Sequence, residues 1–118
     1  MQKVFVSYRL LPGVSLERFC QWSREIDQLT VARQPGIIRF EIYTIEGAEE
    51  GQPFCEIMED IEAESFEAFT SAVAGADMAY CRETFPLFVD QSTVQVIYGS
   101  RIVPSLRPGV RPALPAMD

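Results

Sequence analysis

Leu11-Pro12-Gly13-Val14-Ser15-Leu16-Glu17-Arg18-Phe19-Cys20-Gln21-Trp22, residues 11–22, is where a strand hands over to a helix, and its reading decides the fold. Pro12 and Gly13 break any regular element. Ser15 is a strong helix N-cap, and Glu17 puts a negative charge in the first turn, where the peptide dipoles favour it. From there Phe19, Trp22, Ile26 and Leu29 recur at spacings of three and four. That periodicity predicts one apolar stripe on a helix running to about Arg33, with Glu17, Arg24 and Gln28 opposite.

Upstream, residues 3–10 are rich in β-branched and aromatic types, which suits a strand. Downstream, Gln34-Pro35-Gly36 stops the helix. Residues 37–45 then alternate Ile38, Phe40 and Ile42 against Arg39, Glu41 and Tyr43, a second strand. A polar loop over 46–53 leads into a third strand over 54–61, paired with the second as a hairpin. Glu64-Ser65 opens a second helix with Phe66, Phe69 and Val73 on one face. Gly75-Ala76-Asp77 interrupts it, and Met78 to Thr84 adds another turn or two before Pro86. Residues 91–102 read as the last strand, with Val94, Val96 and Tyr98 on one side. Residues 103–118 hold Pro104, Pro108, Pro112 and Pro115 and are expected to run as an extended tail.

The order β-α-β-β-α-β is the split, ferredoxin-like α+β pattern, one domain over 1–102 followed by the tail. Helices can cover only one face of such a sheet. Yet large apolar residues occupy both alternation sets: Val4 and Val6 in one, Phe5 in the other; Phe54 and Met58 in one, Ile57 in the other. A bare apolar face of that size is expected to be buried against a second copy, giving a homodimeric α/β barrel. A chain of 118 residues buries only about two thirds of its unfolded surface, so a dimer also supplements a small core.

Charge and composition exclude several classes. The net charge is −7 with Lys and Arg scattered, so no cationic stripe exists to displace counterions from nucleic acid or to hold an anionic membrane. No apolar run approaches the roughly 20 residues of a membrane span, and the N-terminus enters a strand pattern directly, so a cytoplasmic protein without a leader is expected. Cys20, Cys55 and Cys81 are odd in number and widely spaced, which argues against a disulfide framework or a zinc site. Histidine is absent altogether, which removes imidazole acid/base chemistry, Ser–His and Cys–His nucleophiles and His-ligated metals. With no phosphate loop or nucleotide fingerprint either, no cofactor is expected.

The candidate catalytic groups are therefore carboxylates and tyrosines. Asp77 follows a Gly-Ala break; at a pocket mouth its pKa would rise and it could shuttle protons, whereas in a plainer role it would cap the next helical turn. Asp27 flanks the first helix's stripe near Ser23 and Cys20, as a pocket acid or a solvated flank residue. Tyr8 lines the cavity if strand 1 turns Val4, Val6 and Tyr8 toward the helices. Tyr98 and Gln95 have opposite parity on the last strand, so one faces the cavity and the other the partner sheet. Trp22, Ile26, Phe88, Tyr80 and Gln95 are the candidate substrate-binding residues, with Trp22 either stacking on a flat ligand or filling the core. Arg39 and Glu41 read as an interface ion pair or a substrate clamp on an edge strand. Glu56 and Glu59 fall on opposite strand faces, and the acidic stretches 46–50 and 59–64 read as a solvated rim.

The cadence of residues 11–22, followed by Gln34-Pro35-Gly36-Ile37-Ile38-Arg39-Phe40, resembles the dimeric α/β-barrel superfamily and its EthD-like members across roughly residues 3–102. The chain as a whole resembles the RedY/HapK group associated with prodigiosin-type pigment biosynthesis. The resemblance implies a homodimer with one ligand pocket per subunit between helices and sheet. It also implies a small protein of secondary metabolism that binds a flat pyrrole- or indole-type aromatic intermediate and promotes condensation or cyclisation. A non-catalytic carrier for such an intermediate, or a cofactor-free monooxygenase, are the alternatives. EthD-like sequences and plant barrel cyclases place a histidine in the pocket; the matching stretches here read Glu25-Ile26-Asp27 and Ala74-Gly75-Ala76-Asp77, so no catalytic histidine carries over.

Overall fold

Ser15 starts the first helix as its type implies: its Oγ accepts from the Arg18 backbone N–H at 3.3 Å. The computed structural model describes residues 1–105. Strand β1 (Gln2–Tyr8) precedes this helix, and the turn between them uses Gly13 at φ +83°. The helix is not regular. Helix α1 (Leu16–Trp22) passes into a π-turn over Ser23–Asp27, closed by a bond from the Gln28 N–H to the Ser23 carbonyl five residues back, before α2 (Gln28–Ala32) resumes.

That π-turn inserts one extra residue and rotates everything after it by about 100°. The expected stripe therefore holds for Phe19, Trp22 and Ile26 and fails at Leu29, which is 60% exposed. Asp27, Thr30, Val31 and Gln34 are buried instead.

Strands β2 (Ile37–Thr44), β3 (Ile57–Ala63) and β4 (Gln95–Gly99) complete an antiparallel sheet in the order β2-β3-β1-β4. The third strand starts later than expected: Phe54 lies in the preceding loop, exposed. A register irregularity between Ile37 and Arg39 leaves Ile38 exposed, while Phe40 and Ile42 keep the inward face. The last strand is shorter than 91–102, because Gln91–Thr93 form a 3-10 turn held by Asp90, whose Oδ1 accepts from the Ser92 N–H. The second helical segment is broken as its glycine implies, into α3 (Phe66–Val73), a 3-10 turn at Ala76–Met78 and α4 (Ala79–Thr84). Ser65 caps α3, its Oγ accepting from the Ala68 N–H at 3.0 Å. Most of the Pro-rich tail expected at 103–118 lies outside the described residues.

All helices pack on one side. Val4, Val6 and Tyr8 point that way and are buried with Ile57, Ile61 and Phe19. The opposite side carries Phe5 beside Ile97 and Tyr43 beside Met58, but also the Lys3–Asp60 pair at 2.5 Å and Arg39 bridging Glu41 and Glu62 at 3.4 and 3.8 Å. The bare face is thus a mixed apolar and charged surface, less uniformly apolar than the alternation implied. The Arg39–Glu41 pair is an ion pair of this face and belongs to no helix-side cavity.

Candidate functional site

Between the helix-facing side of the sheet and α2, α3 and α4 lies a cavity of about 330 Å³. Its walls are apolar: Val6, Phe40 and Ile61 from the sheet, Phe69 and Val73 from α3, Met78 from the following turn. Two carboxylates line it, Asp27 and Glu59, and they are only 5% and 7% exposed. Cys81 and Arg82 contribute from α4.

Each acid arrives there for a local reason. Asp27 is the last residue of the π-turn, and the inserted residue carries it from the flank of the stripe to the interior. Glu59 sits in β3 in the same alternation set as Ile57 and Ile61, so the pleat aims it at the helices. Tyr8, directly under the aromatic cluster, donates its hydroxyl to Glu59 Oε2 at 2.5 Å. Asp27 Oδ2 is buried with no hydrogen-bond partner among the described residues.

Burial is the first cause of every pKa shift in this group, because a charge in an apolar cavity loses its hydration. It pushes Asp27 up from 3.8 to about 7. It pushes Glu59 up from 4.5 to about 8, with the charge of Asp27 adding to the rise and the Tyr8 hydroxyl opposing it. The two titrate as a pair. Tyr8 is driven far above the ordinary tyrosine range, first by burial and then by the Glu59 charge, so it stays a neutral donor. Near neutrality the site is a pair of acids that can hold or release a proton, oriented by one fixed hydroxyl.

The aromatic cluster stands behind this cavity. Trp22 is buried, its Nε1 donates to Thr84 Oγ1 at 2.9 Å, and its ring meets Phe88 at 5.4 Å and Phe85 at 6.2 Å. Of these rings Phe85 lines the cavity, so Trp22, Ile26 and Phe88 support it from within the core. Tyr80 is exposed on α4, and Gln95 lies on the sheet's other side, paired in register with Ser7. Tyr98 shares the helix side with Val4 and stacks on Phe66 at 4.0 Å, outside the cavity.

Asp77 is not in the cavity. It is exposed, accepts from Arg33 Nε at 3.1 Å and from Gln34 Nε2 at 2.7 Å, and ties the end of the first helix to the turn after α3. Those donors hold its carboxyl below the usual range, the reverse of the shift a proton shuttle needs. It caps no helix either, since Gly75 and Met78 occupy those positions. Glu59, read from sequence as part of a solvated rim, is the residue that sequence reasoning missed. A charged side chain between Ile57 and Ile61 in the inward set was the signal. Among the described residues, no cluster of three or more His, Cys, Asp or Glu side chains could hold a metal ion. No helix there is long and apolar enough to cross a membrane.

The family model described as REDY-like protein HapK matches residues 2–102. The chain belongs to the REDY-like HapK family. Among solved structures, HapK from Hahella chejuensis is similar at 17% identity with a TM-score of 0.71, covering 92% of this chain and all of that one. An EthD family protein from Bacillus halodurans is similar at 14% identity and a TM-score of 0.66, covering 86% of this chain and 99% of that one. A protein from Bacteroides fragilis, described as dimeric and ferredoxin-like, is similar at 12% identity and 0.64, covering 85% and 95%. No curated protein matches by sequence. The family match bears out the HapK resemblance of the chain as a whole, and the solved structures bear out the ferredoxin-like α+β sheet.

Proposed function

We propose that this HapK-family chain is a small, cofactor-independent enzyme of secondary metabolism, of the kind found in prodigiosin-like pigment pathways. It binds a flat pyrrole- or indole-type intermediate in the 330 Å³ cavity and promotes its condensation or cyclisation there. The observation that carries the reading is Asp27 Oδ2, buried and unpartnered on the wall of an apolar cavity, next to a second buried acid. A fold gains nothing from such an atom, because an unpaired buried polar group costs stability. A bound reactant gives it a partner.

The chemistry follows from the pair. In its acid form one carboxyl protonates the oxygen that departs as water, and the ionised one takes the proton that a ring carbon sheds as aromaticity returns. Tyr8 holds Glu59 in place throughout. The apolar walls align the two reacting ends and exclude bulk water. The dimer belongs to the same proposal: a second copy covers the sheet face bearing Phe5, Ile97 and Tyr43, and the similar Bacteroides fragilis protein is described as dimeric.

Turnover of candidate pyrrole and indole precursors, followed by mass spectrometry, tests the reading. Asp27→Asn and Glu59→Gln should each lower turnover by about 10²–10⁴-fold, the usual worth of general acid–base catalysis. Binding of the precursors with no acceleration over buffer would make the protein a carrier. Retained turnover in Asp27→Asn together with loss in Asp77→Asn would return the proton shuttle to the exposed turn.

A further inference from the structure

The charge environment of the cavity says more about its occupant than its shape does. Asp27 feels Tyr8 from β1, Glu59 from β3 and Cys81 from α4, and Arg82 of α4 lines the same cavity. Of the remaining walls, Phe40 of β2, Val73 of α3 and Val96 of β4 are apolar, and Gln91 is uncharged. Arg82 is the one cation lining this cavity among the described residues, and it is committed elsewhere: its Nη1 donates to the carbonyls of Val73 at 2.9 Å and Gly75 at 2.6 Å. Arg33 and Asp77 neutralise each other at the surface. Among the described residues, therefore, no cation of the protein pairs with either of the two buried acids. In such surroundings an ion pair with a ligand is far stronger than in water, and a ligand anion would be repelled.

We propose that the cavity selects ligands bearing a cationic nitrogen, an iminium, amidinium or protonated amine on a flat apolar frame, and seats that nitrogen against Asp27 Oδ2. The inference deepens the functional reading and rests on its claim that this cavity is the ligand site. Seating the cation draws the pair toward its ionised form, so binding releases a proton to solvent in the range where the acids still hold one. Affinity for a permanent cation then rises with pH as the pair gives up its protons, while affinity for a neutral ligand of the same shape stays flat.

Benzamidine, benzamide and benzoate are matched planar probes that are cationic, neutral and anionic. Titration calorimetry of each against the full-length protein, at about pH 5 and about pH 8, reads the preference directly. The expected result is benzamidine at least about tenfold tighter than benzamide at the higher pH, with the gap closing at the lower pH, and benzoate weakest. Repeating the benzamidine titration in buffers of different ionisation enthalpy should reveal the released proton. Asp27→Asn should bring benzamidine to the level of benzamide, with circular dichroism checking that the variant folds; Glu59→Gln gives the same test if it does not. Benzamide binding as well as benzamidine, or benzoate binding better, overturns the cation preference and leaves the ligand site standing. Failure of all three probes to bind overturns both.

Discussion

At the scale of single residues, the hydrogen bond between Tyr8 and Glu59 is the best-defined piece of the site. Tyr8→Phe keeps the ring in its edge-on contacts with Phe19 and Phe85 and deletes only the donor. Glu59 then loses the interaction that opposes its raised pKa, and its carboxyl rises further. The expected cost is about 1–3 kcal/mol in urea unfolding near neutral pH, because a buried acceptor is left unmade. No change in the midpoint would mean that the hydroxyl does not hold the acid. The inward turn of Tyr8 was legible from the alternation of Val4, Val6 and Tyr8, but its ring lies behind the cavity wall and reaches the site only through Glu59. Asp27 was legible only as a flank residue, because nothing in a spacing rule announces an inserted residue. Glu59 was open to view beside Ile57 and Ile61 but was grouped with the acidic run that follows it.

At the scale of elements, caps and breakers were readable because they act locally. Ser15 and Ser65 cap where their types imply, and Gly36 ends the first helical segment at φ +85°. A Cβ at Gly36 would also meet Ala68 Cβ at 2.9 Å, so strain and overlap combine there. Gly36→Ala should lose about 2 kcal/mol or more, read from the urea midpoint. A neutral result would show that this turn can relax. What spacing could not give was the phase of the helix beyond Ser23. The expected stripe ends inward at Leu29, yet after the π-turn Leu29 is exposed and Thr30 is buried. Val31 is buried although it lies outside the stripe of Phe19, Trp22 and Ile26. A π-turn lacks the tighter α-helical bonding over its span, and here it brings a carboxylate into the cavity.

At the scale of the whole molecule, the sheet has one side under helices and one side bare. The bare side mixes Phe5, Ile97 and Tyr43 with the Lys3–Asp60 and Arg39–Glu62 pairs, a composition suited to a specific face rather than to general stickiness. Sedimentation velocity at micromolar concentration should show twice the chain mass, and Phe5→Glu, which puts a charge on the inner strand β1 of that face, should shift the protein to the monomer. A wild-type monomer would remove the barrel. Folding stability is also a property of the whole chain, and the buried acids give it an unusual pH dependence. Their folded pKa values lie above the unfolded ones, so the folded state binds more protons between the ordinary carboxylate range and about 8. Their contribution is fully present below about pH 4 and is lost as pH rises through about 7–8, the reverse of a salt-bridged carboxylate. The decisive measurement is the urea-unfolding free energy of wild type and Asp27→Asn from about pH 5 to about pH 8. With each acid contributing about 1.4 kcal/mol per pH unit below its folded pKa, wild type should lose several kcal/mol over that span, and the variant should lose clearly less and be the more stable of the two at the upper end. Parallel pH profiles for the two proteins would contradict it, since Asp27 would then be ionised at little cost and the cavity would hold no acid of the kind the chemistry requires.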